Sequence, residues 1–109
     1  MPVSRKEAPA RHERPVIDDA ALKAAIGADR ILSAAREREQ DRWVKFFEPV
    51  PDLLRDGAIK DLRPVAMKAR SAYGPKDSIR DAIPAELTEP FLADLDRLLK
   101  ALARDAMEP

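Results

Sequence analysis

The chain has 109 residues, no Cys, one His and equal numbers of basic and acidic side chains, so its formal net charge at pH 7 is zero. That length supports one domain around one hydrophobic core. The missing thiol excludes a disulfide scaffold, thiol catalysis and thiolate metal sites.

Leu, Ile, Val and Phe supply 25 residues, enough to fold a highly charged chain, but alanine supplies a further 19. Alanine favours helix and buries little apolar area, so the expected core is thin. A thin core without metal or disulfide support is completed by self-association, a dimer being favoured, or by a larger protein partner. The first 15 residues lack the apolar run of a signal peptide. No stretch approaches about 18 uncharged apolar residues, so a soluble, cytoplasmic protein with no membrane partner is expected.

Residues 1 to 16 hold three prolines among four basic and two acidic side chains. They read as a disordered basic tail, with residues 17 to 109 forming a single helical domain. Asp18 and Asp19 precede an alanine-rich apolar pattern and suit a helix start near 18–26. Gly27 reads as the stop, with Asp29 capping a second helix over 30–47. That second helix carries an apolar stripe whose waist, at Arg36, Glu39 and Gln40, is polar.

Pro49 and Pro51 end this element, and 51–56 forms a short helix stopped by Gly57. Asp61 as cap, with Pro64 in the first turn, predicts a helix over 61–73. Gly74 and Pro75 make a turn, 76–83 reads as a short helix before Pro84, and Thr88 caps the final helix over 88–107. In that helix Phe91, Leu92, Leu95, Leu98, Leu99 and Leu102 lie within an arc of roughly 140°. No useful alternating strand pattern is present. The expected fold is therefore all-α: a small helical bundle of about three long helices with shorter ones between them.

Two groups of residues are candidate sites. Trp43, Phe46 and Phe47 place three of the five aromatic side chains within five residues. They read as core against the last helix, and alternatively as a partner-binding anchor. Lys68, Arg70, Tyr73, Lys76 and Arg80 surround the Gly74–Pro75 turn. Cations beside one aromatic ring can grip phosphate and stack on a base. The competing reading is a solvated surface with complementary charge: residues 53 to 80 carry seven basic and three acidic groups, residues 81 to 109 three and seven.

Catalytic chemistry finds few carriers. His12 lies in the expected tail, which leaves Ser33, Ser71 and Ser78 without an ordered imidazole. Neither Glu37 with Asp41 nor Asp77 with Asp81 has a histidine nearby in sequence, and no Gly-rich phosphate loop exists. A helix-turn-helix forced onto 51–73 fits poorly at Gly57 and Pro64. The expectation is a non-enzymatic interaction protein, an accessory, adaptor or regulatory subunit, without cofactor or metal. The alternative is a nucleic-acid-associated regulator using the basic tail and the Lys68 to Arg80 region, confined to one face by the acidic C-terminal third.

Overall fold

The structure is a computed structural model and describes residues 9–107. Among these residues it is all-α, with helices α1 (Pro15–Glu37), α2 (Asp41–Phe47), α3 (Val50–Asp56), α4 (Ile59–Arg70) and α5 (Ala85–Met107). Single 3₁₀ turns cover Arg11–Glu13, Ser71–Tyr73 and Ile79–Asp81. No strand occurs among the described residues.

Helix α1 begins with Pro15 at its first position, where a missing amide proton costs nothing. Contrary to the sequence expectation, it runs straight through Gly27. A stopping glycine must turn left-handed, and no glycine here has positive φ. Gly27 instead makes room for its neighbour: a Cβ there would sit 2.9 Å from Cδ1 of Phe91 on α5. The break falls later. Glu39 takes φ 54, its amide donates to the Arg36 carbonyl at 3.1 Å, and the Gln40 amide donates to Ala35 at 2.9 Å. These two bonds are a Schellman closure built on a glutamate, so the glycine signal that usually marks such an end is absent from the sequence. The polar waist expected inside a 30–47 helix is this turn.

Seven of the ten buried residues of α1 are alanines. Small side chains let neighbouring helices approach closely, and α1 is accordingly the element against which α2, α3 and α5 all pack. Helix α5 lies antiparallel to it, since Arg14 meets Asp105 at 2.8 Å while Gly27 meets Phe91. Phe91, Leu95, Leu98 and Leu102 point inward from α5. The stripe of the last helix is thus matched mostly by the alanine face of α1. Phe47 adds an edge-to-face contact with Phe91 at 5.8 Å.

Helix α4 closes the bundle against α3 and α5. It starts at Ile59, so Pro64 lies in its second turn rather than its first. Likewise α5 starts at Ala85, which places Pro90 inside the helix and buries Thr88, the expected cap, completely. Each proline leaves a carbonyl four residues earlier unpaired, at Lys60 and Glu86, and all four residues are exposed, so water can serve those oxygens. The expected 76–83 helix reduces to the Ile79–Asp81 turn, because Asp77 adopts φ 53 and Ser78 caps the turn, its Oγ accepting the Arg80 amide at 3.1 Å. Buried Ile79 and Ile83 anchor this segment.

Part of the expected tail, residues 1–8, lies outside the described residues. The described part is held down. Arg11 donates to Asp18 at 2.7 Å and, through Nη1, to the carbonyls of Leu54 and Gly57 at 3.0 and 2.8 Å. A guanidinium at the last carbonyls of α3 satisfies acceptors that a helix end leaves open and balances its negative end.

Candidate interaction surface

The aromatic cluster faces the interior. Trp43 is 5% exposed and Phe47 is fully buried. Trp43 meets Phe46 edge-on at 5.5 Å, and Phe46 meets Phe47 at 5.1 Å. Spacing of four residues on α2 aims Trp43 and Phe47 at the same side, toward α1 and α5. Of the three candidate anchors, only half-buried Phe46 retains surface, and the Lys68 ammonium covers its ring at 5.6 Å. Arg42 lies over Trp43 at 4.6 Å.

The second group does converge, but on acidic partners from α5. Arg80 forks onto both carboxylate oxygens of Glu89 at 2.8 and 2.9 Å and lies 5.2 Å above the Tyr73 ring. Tyr73 donates its hydroxyl to the Thr88 carbonyl at 2.5 Å. Arg70 donates to Asp96 at 2.6 Å. Burial, and then the nearby Glu89 charge, push the Tyr73 phenol above its ordinary value against the pull of Arg80, so it stays a neutral donor. The bond from Arg80 holds Glu89 below the usual carboxylate range, and the same bond raises Arg80.

Tyr73, Arg70 and Arg80 line one open hollow with Leu92. Their charge is already matched by Asp96 and Glu89. Lys76 is exposed and has no ion pair among the described residues. This arrangement is the complementary-charge reading made concrete: the basic middle of the chain pairs with the acidic last helix.

Sequence reading missed a different surface, the outer seam between α1 and α5. Three hollows succeed one another along it. One of about 330 Å³ lies between Val16 on α1 and Ala101 on α5, one of about 180 Å³ lies over Gly27 and Phe91, and one of about 600 Å³ reaches Pro84 and Leu87. Val16 is 72% exposed and Ile26 is 53% exposed. Val16, Lys23 and Arg30 recur every seven residues on the α5 side of α1, and Arg97, Lys100 and Arg104 rise from the facing side of α5. The signal was present in the heptad spacing. A helix end at Gly27 hides it, because the spacing then crosses two elements.

Charge along the seam is uneven. At its Val16 end, Arg14 is held by Asp105 and Arg97 contacts Asp94 at 3.2 Å. The Glu13 carboxylate accepts the Ala10 amide at 2.8 Å. Lys23, Lys100 and Arg104 have no ion pair among the described residues. Elsewhere Ser71 and Ser78 spend their hydroxyls on local backbone. Among the described residues no three His, Cys, Asp or Glu side chains gather where a metal could sit, and no helix is long and apolar enough to cross a membrane.

Fold and surface together define a small all-α bundle with one open, partly apolar helix–helix seam. Comparison of the chain with known protein families, curated proteins and solved structures found no match.

Proposed function

We propose that the chain is a non-enzymatic interaction protein, an accessory or regulatory subunit that binds a larger protein partner along the α1–α5 seam. The observation that carries this reading is Val16, a β-branched side chain 72% exposed beside an apolar hollow on the two longest helices. Scattered exposed apolar residues are ordinary, whereas an elongated hollow bordered by apolar and cationic side chains has the anatomy of a helix-binding groove. Site-specific photo-crosslinking tests it. A photoreactive residue in place of Val16 or Ala101 is expected to give one discrete adduct in cells that express the protein. The same residue at Arg63, on the exposed side of α4, is expected to give none. Absence of an adduct from every seam position would remove the proposal.

Self-association is the competing mode of interaction, and an adduct of twice the chain mass reports it. Nucleic-acid binding has less support, because Arg70 and Arg80 are engaged by Asp96 and Glu89. Fluorescence anisotropy with DNA and RNA probes at low salt measures it directly, and the expected outcome is no binding.

A further inference from the structure

We infer that the occupant of the seam's Val16 end is an acidic amphipathic helix of a protein partner, and not a second copy of this chain. The inference rests on the interaction reading above and adds the chemistry of the partner. Around this end Arg14, Arg97, Lys100 and Arg104 stand against Glu13 and Asp105. Cations exceed acids by two, and the two that have no ion pair among the described residues, Lys100 and Arg104, both line the hollow from α5.

Long basic side chains along the α5 wall of an apolar trough fit a helix that lays Leu-like residues on Val16 and Ala101 and extends carboxylates toward Lys100 and Arg104. Such pairing guides encounter and sets orientation, while the apolar strip supplies the contact area. A second copy fits badly. Toward its other end the seam's unpaired charges balance: Glu37 and Glu86 stand with Arg30 and Arg38, while the third acid there, Asp29, is held by Arg55 at 2.7 Å. A two-fold axis sets the basic end either against itself or against that neutral stretch, and neither offers it an acidic face. Extended anionic polymers fit less well than a helix, because Pro15, Val16, Ile17 and Ala101 give the hollow an apolar strip and no aromatic platform for a base lines it.

The experiment uses the full chain and a fluorescein-labelled synthetic peptide of about 18 residues, roughly five helical turns, with Leu at helical spacing and Glu on both flanks. Binding by anisotropy is expected at low salt and is expected to weaken as salt rises. Lys100→Glu with Arg104→Glu, and separately Val16→Asp, should each weaken it by about tenfold or more. Far-UV circular dichroism and Trp43 emission verify that these exposed changes leave the fold intact. No binding at low salt would overturn the inference. Equal binding of a scrambled acidic peptide would do the same, since the groove would then be irrelevant. So would tighter binding of anionic phosphatidylserine vesicles or of a DNA duplex, or dimerisation in sedimentation velocity that Val16→Asp abolishes. If the peptide fails while Val16 still crosslinks to a partner, the acidic-helix inference alone falls. Silence from every crosslinking position removes the interaction reading itself.

Discussion

Glu39 occupies a backbone region that glycine enters freely and other residues enter at a cost of about 1 to 2 kcal/mol. It is exposed and ends α1, so the strain has no packing reward of its own. Glu39→Gly is expected to stabilise the chain by about 1 kcal/mol in chemical denaturation, net of the extra freedom given to the unfolded state. Tyr73 offers a second test at the level of one side chain, because it is the only tyrosine. Its folded phenol binds its proton more tightly than an unfolded one does. The stability it contributes is complete below about pH 10, its ordinary value, and is lost as pH rises beyond that. Phenolate absorbance should therefore appear together with loss of helix on alkaline titration, and Tyr73→Phe should shift the unfolding to higher pH. Ionisation of Tyr73 in a fully helical protein at its ordinary pKa would contradict this account.

Between elements, Arg11 does what no single helix can do for itself. Its guanidinium ties the segment before α1 to Asp18 in the first turn of α1 and to the open carbonyls that end α3. The side chain is 16% exposed, and its Nη2 is buried without a protein partner, so this is a largely dry junction. Arg11→Ala should lower stability by about 2 kcal/mol, read from the urea midpoint. Arg11→Lys should recover little of that loss, since an ammonium cannot span the same acceptors as a planar fork.

Helix boundaries show how far the sequence alone could be followed at this level. Period and composition put helix in each of the five α-helical regions, but ran one helix over 30–47 across the break at Glu39 and added one over 76–83 where Asp77 turns left-handed. The other errors arose where one residue had two meanings: Gly27 as a stop or as a notch, Thr88 as a cap or as a buried residue, Pro64 as first turn or second. Two of these ambiguities are resolved by a neighbour distant in the chain, Phe91 for Gly27 and Tyr73 for the Thr88 carbonyl, and local pattern carries no record of either.

For the molecule as a whole, the alanine-rich helix and the leucine-rich helix are two halves of one core. Leu98 sits fully buried on α5. Leu98→Asp places a carboxylate in the hydrophobic core, at a cost comparable to the roughly 5 to 15 kcal/mol that holds a typical domain together. Circular dichroism should show loss of cooperative folding. Ala103→Asp, on the exposed side of the same helix, should change stability by no more than about 0.5 kcal/mol. Loss of folding in both variants would mean that α5 packs differently.

The complementary charge of residues 53–80 and 81–109 is legible in the sequence and reappears as Arg70 with Asp96 and Arg80 with Glu89. The candidate phosphate grip was legible as a cluster, but its neutralisation was not, because the acids arrive from a helix that begins after it. The seam was the least legible feature. It exists only when α1 is continuous and α5 lies antiparallel beside it.

The notch at Gly27 has one more effect. Along an alanine face a leucine helix can slide by a turn with little change in buried area, and nothing in the stripe itself forbids it. Phe91 seated on a missing side chain fixes the axial setting, as a pin fixes a rail. That one fitting determines the meeting of Arg14 with Asp105 about 20 Å away, roughly three and a half helical turns. It also determines where Lys23 stands along the seam relative to Lys100 and Arg104. The smallest residue in the chain thereby sets the spacing of charges at the far end of the seam.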